Sequence, residues 1–274
     1  MPDPRLPLPL SAVPQPAWRA LRGVLTDIDD TLTCEGTLDP AAEQALDALR
    51  TAGLPVLAIT GRPQGWSEPF ALQWPVQAIV AENGAVALIP DAGRLRIEYA
   101  QDAATRAHNA VRLRNAAARV QREVPGATLA RDSAGRVTDI AIDHAEFAHL
   151  DAAQIEQVVA VMRDEGLNAT VSSIHVNGWF GAHDKLYGAR WIVQRLYRRT
   201  LDDERDRWVY VGDSTNDQAM FGHFPLSVGV ANLRHFADRL HTWPRYLTEG
   251  ERGAGFAQVA QALLAARAGL SAAS

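Results

Sequence analysis

The sequence predicts an α/β fold: a parallel sheet core covered by helices, with an inserted α+β unit. Three observations predict it. Short, nearly continuous apolar runs recur at residues 23–25, 54–59, 77–81 and 207–211, and runs of this length read as strands buried on both faces. Helical segments with start and stop signals alternate with them. Each run also ends in polar residues: Asp27-Ile28-Asp29-Asp30-Thr31, Thr60-Gly61-Arg62, Glu82-Asn83-Gly84 and Gly212-Asp213-Ser214-Thr215-Asn216-Asp217. In open parallel sheets, ligands bind beyond the carboxyl ends of the strands. The pattern changes between residues 89 and 177, which read as a separate α+β unit set into a core of 19–88 and 178–274.

Taken in order, residues 1–18 hold six prolines, which argues against a helix. They read as a Pro-rich flexible tail with Trp18 resting on the surface. A helix is expected over Asp39–Arg50, with Asp39 as N-cap, Pro40 at the first helical position and Gly53 just past the end. Within the insert, Leu95–Tyr99 alternates as a half-exposed strand. An Arg-rich helix over 103–124 presents its arginines to solvent. A hairpin spans 128–143, a helix 151–165, and one strand 169–176. The parallel pattern resumes with a helix over 184–199, strands at 207–211, 226–230 and 245–248, and a closing helix over 256–266.

Composition removes several classes of function. A net charge of −5 and a pI near 5.9 speak against nucleic-acid binding through phosphate contacts. No run reaches the length of a membrane span, so a soluble, cytoplasmic protein is expected. The single cysteine, Cys34, permits no internal disulfide. His144 and His149 lack the paired spacing of a zinc site. Nothing in the sequence fixes an oligomeric state.

The chemistry lies in two acidic clusters, Asp27/Asp29/Asp30 and Asp213/Asp217, each following an apolar strand. Crowded carboxylates at a buried strand end repel one another and are costly to desolvate without a cation. Mg²⁺ takes oxygen ligands of this kind and lets an aspartate approach a phosphoryl group of like charge. Thr60 supplies a hydroxyl donor, and Lys185 a positive charge for the phosphoryl oxygens. The chain has 26 arginines and a single lysine, Lys185.

This set resembles the haloacid dehalogenase (HAD) superfamily of phosphohydrolases. Asp27-Ile28-Asp29-Asp30-Thr31 looks like its DxDxT motif, Thr60-Gly61-Arg62 its threonine motif, Lys185 its lysine, and Gly212–Asp217 its GDxxND motif. The size and place of the insert, and Asn83, resemble the Cof-like branch with an α/β cap, which includes sucrose-phosphate and mannosyl-3-phosphoglycerate phosphatases. The resemblance implies a Rossmann-like core with a cap, at 89–177, that selects substrate. It implies Asp27 as nucleophile and Asp29 as general acid and base. It implies Mg²⁺ held by Asp27, the Asp29 carbonyl, Asp213 and Asp217. Phosphate would be bound by Thr60, Gly61, Lys185 and Asn216, and substrate by Arg62, Trp66, Asn83, His175 and Asn177. The activity implied is Mg²⁺-dependent hydrolysis of a small phosphorylated metabolite, a sugar phosphate, with no nucleic-acid or membrane partner. A phosphomutase of related design and a non-catalytic metabolite-binding regulator are the alternatives.

Overall fold

The computed structural model describes residues 7–271. Its strands are β1 (Leu8–Pro9), β2 (Gly23–Thr26), β3 (Thr33–Cys34), β4 (Thr37–Leu38), β5 (Val56–Ile59), β6 (Ala78–Ala81), β7 (Val86–Asp91), β8 (Arg94–Tyr99), β9 (Thr128–Leu129), β10 (Asp139–Asp143), β11 (Asn168–Val171), β12 (His175–Trp179), β13 (Trp208–Gly212), β14 (Ser227–Gly229) and β15 (Tyr246–Leu247). Its helices are α1 (Gln15–Ala20), α2 (Pro40–Thr51), α3 (Gln64–Gln73), α4 (Ala103–Glu123), α5 (Ala152–Asp164), α6 (Lys185–Tyr197), α7 (Gln218–His223) and α8 (Arg252–Ser271).

Nine strands form one sheet in the order β1-β15-β14-β13-β2-β5-β6-β7-β8, and all pairs from β1 to β6 are parallel. Side chains alternate across the pleat, so β2 sends Val24 into one apolar layer and Leu25 into the other. The first layer packs against α1, α2, α3 and α8, and the second against α6 and α7. This double burial explains the unbroken apolar runs. In register, Thr26 of β2 lies beside Val211 of β13 on one side and Ala58 of β5 on the other. The segments after these three strands therefore emerge together, which brings Asp27, Thr60 and Asp213 to one edge.

A second sheet, β11-β12-β10-β9, is antiparallel and shares a separate apolar cluster with α4 and α5. The stretch expected as one strand over 169–176 is instead the hairpin β11–β12, turning between Val171 and His175. The polar Ser172-Ser173 pair breaks the alternation there, and the Ser172 hydroxyl accepts from the His175 N–H at 3.0 Å. β8 pairs with β7 at the edge of the main sheet, so the sheet runs past the expected boundary at residue 88.

The amino-terminal segment also differs from the flexible tail expected of it. Residues 1–6 lie outside the described residues. From Leu8 onward the chain is docked: β1 extends the sheet beside β15, and Trp18 of α1 is 2% exposed in the core. Pro14 and Pro16 sit at the N-cap and the first turn of α1, where no amide hydrogen is needed. The prolines are spaced to permit one helix rather than forbid it. α3 was not evident from the sequence, because Pro63, Pro69 and Pro75 obscure its pattern.

Candidate active site

Asp27 follows β2 and is 3% exposed. Its Oδ1 accepts from Lys185 Nζ at 2.6 Å. The same ammonium donates to Asp217 Oδ1 at 2.7 Å and Asn216 Oδ1 at 3.2 Å. Three N–H groups thus meet three acceptors, with Lys185 itself 3% exposed. Lys185 is held there because it opens α6, whose N-cap, Asp184, accepts from the Tyr187 N–H at 2.7 Å. Gly84 packs against the Asp184 carbonyl, where a Cβ would collide. Only glycine permits that approach, at a φ of +103°.

Asp217 turns back beneath the loop that carries it. Its Oδ2 accepts from the N–H groups of Asp213 and Ser214 at 2.9 and 3.1 Å. Its Oδ1 accepts from Lys185 and from the Tyr210 hydroxyl. A Cβ on Gly212 would strike this carboxylate, which accounts for the glycine before Asp213. Asp213 is different. Its Oδ2 lies 3.3 Å from the Asn232 amide, but its Oδ1 is buried without a hydrogen-bond partner.

Asp27, Asp213 and Asp217 offer carboxylate oxygens all within 4.8 Å of one another. Burial raises the Asp27 carboxyl above its usual range. Lys185 opposes this, while Asp217 and Asp29 add to it. Burial also pushes Asp213 well up, reinforced by Asp27, Asp217 and Asp30 and opposed by Lys185. An orphaned oxygen in a group of three carboxylates that one lysine compensates only in part fits a hard divalent cation such as Mg²⁺. Asp213 and Asp27 have the free positions. Asp217 is saturated by protein donors and serves to hold Lys185 and the loop.

The Asp29 carboxylate is not among those three. It faces Arg62, whose Nε donates to both of its oxygens at 2.8 and 3.0 Å. Thr60 is fully buried and its Oγ1 accepts from the Arg62 N–H at 3.0 Å, leaving its own hydrogen to donate. Arg62 was expected to meet substrate. It lines a cavity beside Asp29, but its guanidinium is bound by Asp29, by Asp132 at 3.3 Å and by Glu146 at 2.9 Å.

Of the four other expected substrate residues, Asn83 and Asn177 fall into contacts between the two units. Trp66 packs in the core face-to-edge with Trp74, its ring 4.9 Å from the Arg62 guanidinium. His175 Nε2 lies 3.0 Å from Glu146 Oε2. Asn177 donates to the Gly61 carbonyl at 3.2 Å, and both it and Asn83 approach Asp139 at 3.4 Å. Asn83 also borders a second cavity, beside Lys185 and Asn216.

Several residues here were not singled out from the sequence. Glu82, fully buried at a φ of +49°, grips the insert by accepting the Val137 and Thr138 N–H groups at 3.0 and 2.6 Å. Arg136 donates to the Gly61 carbonyl at 2.9 Å and pairs with Asp139. Asn232 ties Asp213 to the Asp30 carbonyl. Tyr210 left one signal, a hydroxyl-bearing ring between two valines of a buried strand, which needs a partner. Asn232 left none.

Glu146 makes this contact between units sensitive to acid. Burial would raise its carboxyl, but His175 and Arg62 outweigh that and bring it down to about 2. A carboxyl lowered on folding contributes stability above its unfolded pKa and loses it as pH falls through the folded one. Between pH 4.5 and about 2, wild type is expected to lose about 1–2 kcal/mol more than Glu146→Gln, the full shift being discounted for partial exposure. Urea titrations across that range test this, and parallel losses would remove Glu146 from the account.

Residues 24–121 match the model of the haloacid dehalogenase-like hydrolase family. Over that stretch, about a third of the chain, the sequence is similar to that family. A comparison with curated proteins finds no match. Among solved structures, a protein from Thermoplasma acidophilum superposes with a TM-score of 0.68 at 15% identity, covering 89% of this chain and 98% of that one. The sucrose-phosphatase from Synechocystis, solved with sucrose and phosphate, gives 0.62 at 16% identity over 89% and 98%. A HAD subclass IIB sugar phosphatase gives 0.60 at 14% identity over 88% and 98%. At such identities the likeness establishes a shared fold alone. Among the described residues no helix is long and apolar enough to cross a membrane.

Proposed function

We propose that this HAD-like protein is a Mg²⁺-dependent phosphatase that hydrolyses a sugar phosphate through a phosphoryl group carried on Asp27. The observation that carries the reading is the buried set at the ends of β2 and β13: Asp27 on Lys185, beside an Asp213 oxygen without a partner. Asp27, Asp213 and the Asp29 backbone carbonyl would hold the ion, with Asp217 supporting. Bound there, Mg²⁺ would screen the phosphoryl oxygens from the Asp27 carboxylate.

In the first step an Asp27 oxygen attacks phosphorus and the bond to the leaving oxygen breaks. Asp29 gives that oxygen its proton. Asp29 then takes a proton from water, which attacks phosphorus, and the bond to Asp27 breaks. Phosphate leaves with both carboxyl groups restored. Lys185, Thr60 and the Asn216 amide would stabilise the equatorial oxygens. Arg62 fixes where Asp29 points. The second sheet and α4 and α5 are read as a cap that excludes water, since Glu82, Arg62 and Gly61 all bond to it. The fold shared with the two sugar phosphatases supports the substrate class.

A screen of phosphorylated metabolites with Mg²⁺ tests the proposal. Phosphate release is expected to vanish in EDTA and return with Mg²⁺, and full activity in metal-free buffer would sink it. Solvent ¹⁸O is expected in the released phosphate. A strict need for a bisphosphate activator, with isomerised sugar phosphate as product, would indicate a mutase instead.

A further inference from the structure

A cavity of about 490 Å³ opens beside Asp29, between the core and the insert. We infer that it receives an uncharged, polyhydroxylated leaving group, with Glu35 and Phe147 as the residues that select it, and that it rejects substrates bearing a second anion. The inference rests on the phosphatase reading, because it takes the space next to Asp29 as the leaving group's.

Charge is the first argument. The charged residues lining the cavity are Asp29, Asp30, Glu35, Glu146, Arg62 and Arg252. Arg62 is held by three carboxylates, and Arg252 lies 3.0 Å from Asp30. Among the lining residues each cation has an anion beside it, while Glu35 forms no ion pair among the described residues. A carboxylate or second phosphate brought here would face like charge without a partner, which disfavours it strongly. Arg131 stands near the cavity without lining it, its guanidinium 3.7 Å from the Phe147 ring centre.

The second argument is how the walls are built. The fully engaged Asp143 carboxylate accepts from the N–H groups of Ala145, Glu146, Phe147 and Ala148 at 2.9–3.2 Å. This pins a loop that sets Glu146 on Arg62 and presents Phe147, 53% exposed, to the cavity. The ring packs against the Arg131 guanidinium and still remains half exposed, which leaves apolar surface for the C–H groups of a sugar. Opposite, Glu35 and Gly36 form the two-residue turn between β3 and β4, with φ of +52° and +75°. That first position is usually given to Asn, Asp or Gly. The chain places there a longer carboxylate, which can accept hydrogen bonds donated by hydroxyl groups.

The test uses the full chain with Mg²⁺ and three matched compounds: glucose 6-phosphate, 6-phosphogluconate and glucose 1,6-bisphosphate. Wild-type kcat/KM for glucose 6-phosphate is expected to exceed that for either of the others by at least about tenfold. Glu35→Lys is expected to reduce that ratio at least about tenfold, and Glu35→Gln to reduce it less. A wild-type ratio at or below one overturns the inference, as does a ratio unmoved by Glu35→Lys. p-Nitrophenyl phosphate reports on the phosphatase reading separately. If neither it nor any of the three compounds is hydrolysed that reading fails, and calorimetry of the three compounds on Asp27→Asn decides the cavity. Tighter binding of glucose 6-phosphate then supports the inference, and equal, weaker or absent binding overturns it.

Discussion

Asp27→Asn is expected to lower phosphate release by at least about 10³-fold, the scale of removing a nucleophile that acts with a set of partners. An amide nitrogen and oxygen attack phosphorus poorly and bind Mg²⁺ less well. The fold should survive. Lys185 keeps Asp217 and Asn216 at 2.7 and 3.2 Å, and one negative charge leaves a group in which Asp213 and Asp217 remain close by. Thermal denaturation should therefore show a melting temperature no lower than that of wild type. A phosphorylated protein trapped by acid quench should be detectable in wild type and absent from the variant. More than a few per cent of wild-type activity in Asp27→Asn would mean that another group attacks, at a level far above this expectation.

Lys185→Arg conserves charge and is expected to lower kcat at least about 100-fold, comparable to losing one preorganised donor at a charged transition state. A compact ammonium points one N–H at each of Asp27, Asp217 and Asn216. A guanidinium is a planar fork on a different stem and cannot direct its hydrogens to three converging acceptors from one point. Space is also short, because Lys185 is 3% exposed and Gly84 already touches the backbone of Asp184 beside it. Arginine must overpack this corner, so stability should fall by about 1–3 kcal/mol. Steady-state kinetics and denaturant titration measure the two effects. An enzyme within threefold of wild type would show that the site needs only positive charge there.

The sequence alone determined the parallel core and the place of its candidate site. Backbone and burial rules act locally: strands apolar at every position must be covered on both faces, and acidic clusters at their ends stand where such sheets place ligands. Asp27, Asp213 and Lys185 were legible as candidates for that reason, and the lone lysine among 26 arginines set Lys185 apart.

Tertiary structure alone decided what each carboxylate is free to do. Asp217 and Asp213 look equivalent in sequence, yet one is saturated by backbone, Lys185 and Tyr210 while the other keeps an oxygen without a partner. Arg62 follows the threonine as a substrate ligand might, but Asp132 and Glu146, distant along the chain, claim its guanidinium. The same holds for Glu82 and the insert's backbone, and for the prolines at residues 7–16, which dock a strand and a helix. Hydrogen bonds and ion pairs depend on angstrom-scale distances between segments far apart in sequence. Such distances exist only once the sheet register and the seating of the insert are set.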